Sequence, residues 1–327
     1  MINRHNKKGK IMKLVKKIML FVASFIMLAP TLAHAKEPIK VGILQYVEHE
    51  SLNAAREGFI EGLKEAGYVE GDNLVIQYEN AAGDNGSLTS MGEKLVSAND
   101  YLFAIATPAA QSLANITQDK PIYFSAVTDP VDAGLVKSLE HPKTNVSGTI
   151  DAGPLKEQVE LMLSIDPEIK TVGLLYNSGE ANSVGEVERT KEILKEKGLS
   201  YEEVSVTSTN DISQALATLL NKVDALFLVT DNTVASAMGY VGDMAAEKKI
   251  PVIGGSKDMA LVNGLATYGL DYYALGKQTA QMLVRQLEEE LAIEEISVES
   301  ANDLELIVNE KTAERLGIDP TTIKAPQ

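Results

Sequence analysis

From residue 39 onward, apolar runs of four to seven residues alternate with longer stretches in which apolar positions recur at helical spacing. This alternation predicts βαβ units and parallel sheets, because a parallel strand is buried on both faces and its crossover helix on one. The first run, 39–44, leads into 52–66, where Leu52, Ala55, Phe59, Ile60 and Leu63 share one helical face before Gly67 ends it. Further strands are expected at 74–78, 101–106, 122–127, 146–150, 225–230, 252–254 and 265–270, with helices at 212–221 and 233–248.

The opening of this pattern occurs twice. Val41, Gly42, Ile43 and Leu44 correspond to Val172, Gly173, Leu174 and Leu175, and the segment from Leu63 to Gly67 corresponds to that from Leu194 to Gly198, both at a spacing of 131 residues. The expectation is an α/β fold of two similar doubly wound, Rossmann-like lobes with parallel sheets. One spans 36–150 and is completed by about 256–285; the other spans 151–255 and is completed by about 286–327. Short hinge crossings near 151–154 would join them. In such sheets the crevice lies at the carboxyl ends of the strands, so any chemistry is expected there.

The first 35 residues differ from the rest. Seven basic residues and no acidic one precede a twelve-residue apolar run, 18–29, followed by Pro30 and the triplet Ala33, His34, Ala35. This is the grammar of a cleavable export signal, with the cut after Ala35. The run falls short of the roughly 20 residues that cross a bilayer, which disfavours an uncleaved anchor. Lys36 and Glu37 stand where a lipid-anchored protein would carry cysteine. Removing the leader takes the formal net charge from −16 to −23, a surface that repels nucleic-acid phosphates and anionic lipid. The chain has no cysteine, which suits an oxidising compartment. A periplasmic or otherwise extracytoplasmic location is expected.

At the strand ends, Thr107 precedes Pro108, Ala109 and Ala110, a helix start with Thr107 as its expected cap and amides able to hold a carboxylate. Ser125, Thr128 and Asp129 follow the next strand, Asp129 serving as a cap or as the partner of an ammonium group. Gln45, Tyr46 and Glu48 follow the first, with Tyr46 suited to stack on a flat ligand and Glu48 to accept ammonium hydrogens. The second half offers Tyr176, Asn177, Asn182, Asp231 and Asn232, a close-approach glycine at Gly255, and Asp271 at a strand end. Each also makes sense as plain turn chemistry. Their joint placement at equivalent strand ends is what points to a binding site. Only His49 and His141 remain beyond the leader, and the sequence carries no thiol, phosphate loop, dinucleotide fingerprint or nucleophile elbow. Neither enzymatic activity nor a metal or cofactor is expected.

The combination of Val41, Gly42, Ile43; Gly58, Phe59; Gly62, Leu63; Thr107 to Gln111; Val127 to Pro130; and Thr230 to Thr233 resembles the ABC transporter substrate-binding proteins of the tryptophan/tyrosine-binding type, across essentially the whole chain beyond the leader. The resemblance implies a monomeric type I periplasmic binding protein that closes on one small molecule, an aromatic amino acid by preference, and delivers it to an ABC permease with a separate ATPase. For such a ligand, Thr107, Ala109, Ala110 and Thr128 would meet the carboxylate, Asp231 or Asp271 the ammonium, and Tyr46 beside Tyr176 the ring. Asn177, Asn182 and Asn232 would close over it. Two alternatives stay open: a ligand-sensing envelope protein for a membrane receptor, and a flavodoxin-like envelope enzyme using Asp129 or Asp231 as acid or base. Branched-chain amino acids, sugars and nucleosides are the alternative ligands.

Overall fold

The computed structural model describes residues 37–301 and 304–326; the expected leader lies outside them. The chain first forms β1 (Ile39–Gln45), α1 (Glu50–Glu65), β2 (Leu74–Asn80), α2 (Asn85–Ala98), β3 (Tyr101–Ile105), α3 (Thr107–Ile116), β4 (Ile122–Val127) and β5 (Val146–Ile150). It then crosses over and repeats the plan with α4 (Leu155–Ile165), β6 (Thr171–Asn177), α5 (Ala181–Glu196), β7 (Ser200–Val206), α6 (Thr209–Leu219), β8 (Ala225–Phe227), α7 (Asn232–Ser236), α8 (Met238–Glu247), β9 (Val252–Ile253), α9 (Lys257–Leu261) and β10 (Ala266–Gly269). The last elements are α10 (Tyr272–Glu289), β11 (Glu299–Ser300), β12 (Glu305–Val308) and α11 (Glu310–Leu316).

Two six-stranded sheets result, ordered β2-β1-β3-β4-β5-β11 and β7-β6-β8-β9-β10-β12. The strand order is therefore the same in both, and only β12, antiparallel to β10, departs from parallel pairing. The repeat is exact at α1 and α5, each 16 residues long. Each is followed by a left-handed glycine, Gly67 at φ 88° and Gly198 at φ 74°, a conformation that side chains with Cβ resist. The expected helix at 233–248 is two helices, broken at Ala237 (φ −107°, ψ 11°).

The return segments differ from expectation. Residues 256–270 stay with the second sheet, because β10 pairs with β9 and β12 there. It is α10 that returns to the first lobe, where Leu275, Ala280, Met282 and Leu283 join its core. The α1–α10 crossing is close: a Cβ on Gly58 or Gly276 would lie 2.0 Å from a backbone oxygen of the other helix. Since β11 pairs with β5, residues 272–300 complete the first lobe and 304–326 the second. The first lobe packs around a core that includes the stacked rings of Phe59 and Phe103, 3.8 Å apart, while the second sheet has a separate apolar cluster on each face. Among the described residues, no helix is long and apolar enough to cross a membrane.

Candidate functional site

Two strained alanines shape the site on the first lobe. Ala106 ends β3 at φ 83°, ψ 155°, and Ala126 in β4 has φ 59°. Backbone of this kind costs on the order of 1–3 kcal/mol and persists where the surroundings over-determine it. At Ala106 the consequence is chemical. Thr107 becomes the first residue of α3 instead of its cap, with its hydroxyl buried and unpartnered. Pro108 has no N–H to offer, and the N–H groups of Thr107 and Ala109 meet no acceptor among the described residues. The positive end of α3 is thus left bare where this helix packs against α5 of the second lobe. Close by, Asp151 on the first crossing accepts hydrogen bonds from the Thr128 hydroxyl (2.9 Å) and the Tyr272 phenol (2.7 Å), which ties β4 to the start of α10.

The second lobe answers with carboxylates. Glu186 projects from α5 and takes the Thr230 N–H (2.7 Å) and hydroxyl (2.6 Å), both on Oε2. The Asn182 amide donates to Thr230 O at 2.7 Å and leaves its own oxygen buried without a partner. Glu180 receives Asn177, both nitrogens of Asn232, and the N–H and hydroxyl of Thr233. Asp231 receives the N–H groups of Asn177 and Val234, the latter bond capping α7. All four acids, Asp151, Glu180, Glu186 and Asp231, are buried, and among the described residues none forms an ion pair. Burial raises the Glu186 carboxyl to about 7 and also raises Asp151. Glu180 is raised by burial and by the neighbouring charge of Asp231. Buried carboxylates without a cation are costly, so this is a place where a positively charged group would be held strongly.

The lobes touch around these groups. His49 Nε2 meets Asn232 Oδ1 at 3.2 Å, the Ser51 and Ser256 hydroxyls lie 3.1 Å apart, and Arg189 reaches Asp129 at 3.4 Å on the opposite rim. The buried Tyr46 phenol donates to Gly83 O (3.3 Å) beside Thr233, and burial together with the charge of Glu180 raises it to about 12.

Several expected site residues are occupied elsewhere. The Gln45 side chain braces Val47, Asn53, Arg56 and Tyr78. Glu48 is exposed at the rim. Ser125 belongs to a buried hydroxyl chain with Thr149 and Thr279 that fastens β4 and β5 to α10. Asp129 closes a turn on the Asp132 N–H besides meeting Arg189. Tyr176 lies outward among Glu188, Lys191 and Glu203, so no Tyr46–Tyr176 clamp forms. At Gly255 a Cβ would come within 2.5 Å of the Val229 backbone, so this glycine serves strand packing. Asp271 caps α10 through Ala274 and pairs with Lys257, which commits its carboxylate. Asn177 and Asp231 are committed within their own lobe, and the Ala110 N–H, expected to meet a carboxylate, is taken by Ala106 O at 3.1 Å, whereas Thr107 Oγ1 and Asn182 Oδ1 stay buried without a partner. Glu180, Glu186, Tyr272 and the full role of Asp151 were missed by sequence reasoning. A glutamate beside Val187 on the buried face of α5 was the signal that could have found Glu186.

The model of the family described as ABC transporter substrate binding protein matches residues 40–322. A tyrosine-binding protein of Clostridioides difficile is 38% identical over 283 residues, covering 86% of this chain and 82% of that protein. A solved ABC domain from Streptococcus pneumoniae in complex with L-Trp is 37% identical, covers 89% of this chain and 99% of its own, and superposes with a TM-score of 0.84. A ligand-free, open substrate-binding protein with adhesive properties from Clostridium difficile is 40% identical, covering 86% and 95%, yet superposes with a TM-score of only 0.66.

Proposed function

This chain belongs to the ABC transporter substrate-binding protein family and has the type I periplasmic architecture, and we propose that its interlobe site holds an aromatic α-amino acid as a zwitterion for delivery to a permease driven by a separate ATPase. One observation carries this reading. Unpartnered donors at the start of α3 stand on the first lobe, the buried Glu186 without a cation stands on the second, and the buried Asp151 sits at the crossing between them. A zwitterion satisfies the donors and the acids at once. Its carboxylate fits the Thr107 hydroxyl and the Thr107 and Ala109 N–H groups. Its ammonium fits Asp151, Glu186 and the free oxygen of Asn182, and Tyr46 offers its ring an aromatic surface.

The tyrosine-binding name and the bound L-Trp of the two relatives support an aromatic side chain. The better superposition on the Trp complex than on the open relative, at similar identity, supports a closed arrangement here. Closure then follows from differential contact, since a ligand touching both lobes stabilises only the form that brings them together. Micromolar binding corresponds to about −8 kcal/mol, enough to shift a hinge equilibrium of a few kcal/mol. The site is a carrier's, built to hold and release. Family membership and the expected leader support a site of action outside the cytoplasmic membrane.

The test is calorimetric titration of residues 36–327 with L-tryptophan, L-tyrosine and L-leucine. The chain has no tryptophan and 11 tyrosines, so energy transfer from protein tyrosine to bound tryptophan gives a second readout. Binding of an aromatic amino acid at least about 100-fold tighter than leucine is expected, on the scale of about 1.4 kcal/mol per tenfold. Equal affinities would remove the aromatic preference.

A further inference from the structure

Asp151 differs from the other buried acids in standing on a crossing between the lobes, directly after β5. Because β3, β4 and β5 are neighbours in the first sheet, the bare start of α3, Thr128 and Asp151 lie along one edge of it. Each oxygen of Asp151 takes one donor: Oδ1 the Thr128 hydroxyl at 2.9 Å, Oδ2 the Tyr272 phenol at 2.7 Å. A carboxylate accepts about four hydrogen bonds, so there is room for an ammonium beside the two hydroxyls.

Both donors are held by their own surroundings. Tyr272 is the first residue of α10, a helix capped by Asp271 on the Ala274 N–H at 3.0 Å and seated closely on α1 where Gly276 meets Ala55. Thr128 is buried just beyond β4. Burial and the charge of Asp151 raise the phenol well above its ordinary value, so Tyr272 keeps its proton and is the donor. The charge of Asp151 is also felt by Glu186, which makes the two acids neighbours across the seam.

We propose that Tyr272 and Thr128 are positioning residues for amino-acid recognition: they hold the Asp151 carboxylate in place to receive the ligand's ammonium without touching the ligand themselves. The idea rests on the zwitterion reading above. An ammonium gains from a buried carboxylate only when that group is ionised and correctly turned, and two hydroxyl donors secure both conditions. Thr128 thereby takes a different part from the expected contact with the ligand's carboxylate. The phenol comes from the second crossing and its acceptor stands on the first, so the ammonium's seat is assembled by the segments that join the lobes.

The test is a double-mutant cycle on affinity for L-tryptophan and L-tyrosine, using wild type, Tyr272→Phe, Asp151→Asn and the two changes together. Urea denaturation of the ligand-free proteins confirms that each folds. Asp151→Asn removes the charge but keeps an oxygen that the phenol can still meet. Tyr272→Phe is expected to weaken both amino acids about tenfold and Asp151→Asn about 30-fold, with the double variant within about threefold of Asp151→Asn alone. Thr128→Val, alone and with Asp151→Asn, is expected to repeat this pattern and carries the test should Tyr272→Phe not fold. Either donor variant binding within about threefold of wild type overturns the assignment. So does a further tenfold loss on top of Asp151→Asn, the result of a loosened hinge or of direct contact with the ligand. If Asp151→Asn binds like wild type, the assignment falls while the amino-acid reading stands. If wild type binds neither amino acid, that reading has failed and the assignment falls with it.

Discussion

The helices α3 and α7 occupy the same place in the two lobes, each following the strand third from the edge of its sheet, and they begin in opposite ways. At α3 the chain enters through the strained Ala106, no side chain caps the helix, and the Thr107 hydroxyl is buried without a partner. At α7 Asp231 folds back on the Val234 N–H at 2.7 Å and takes the Asn177 N–H as well. One helix start has kept its donors for something outside the fold, and the other has used them internally. On the reading proposed above, the helix start of the first lobe takes the ligand's negative charge and the buried Glu186 of the second lobe takes its positive one. That division suits a ligand carrying one charge of each sign.

The largest effect that would sharpen this contrast is expected at Glu186. Glu186→Gln removes an acid from the ammonium site and should weaken amino-acid binding by about 30-fold or more, the range seen when a buried charge loses its partner. The same change should stabilise the ligand-free protein at neutral pH by about 1–3 kcal/mol. The sign follows from linkage: with the folded carboxyl raised to about 7, the unfolded chain releases its proton first. Stability is therefore lost as pH rises from about 4.5 to 7 and stays low above that. Thermal unfolding of ligand-free protein at pH 5 and 7.5, with calorimetry alongside, checks both halves. A variant that binds as tightly as wild type and melts at the same temperature would take Glu186 out of the site.

Asp231→Ala should act on the fold more than on the ligand. Losing the α7 cap and the Asn177 bond is expected to cost about 1–3 kcal/mol of stability, with affinity changed by less than about threefold in protein that remains folded. Chemical denaturation and calorimetry separate the two effects. A tenfold loss of affinity at unchanged stability would mean that Asp231 meets the ammonium directly, and the contrast between α3 and α7 would weaken accordingly.

The duplicated opening was legible because a strand, a helix of fixed length and a left-handed glycine each leave a mark on sequence, and both copies retained all three at Gly67 and Gly198. The course of α10 was not. Its apolar face fits either lobe by pattern alone, and tertiary contacts decide between them, among them the close approach of Gly276 to α1 and the Thr149–Thr279 hydroxyl pair. Thr107 and its following amides were visible as a helix start, but an alanine at position 106 gives no hint of the strain that keeps them free. Tyr176 and Asp271 stand at strand ends as expected, but each is directed by its neighbours toward the outer surface or the hinge. Glu180 and Glu186 escaped notice because a glutamate at or within the first turns of a helix is ordinarily solvated, and these two are buried against the residues that follow β8, Glu186 on Thr230 and Glu180 on Asn232 and Thr233.

The division of charge between the lobes is tested most directly by titrating residues 36–327 with L-tryptophan, tryptamine and indole-3-propionate under identical conditions. The three share a ring, and the last two each lack one charged group. Strong binding of tryptophan with at least about a 100-fold loss for both analogues is the predicted result, since each leaves one lobe's polar groups unmatched. Either analogue binding as tightly as tryptophan would contradict it.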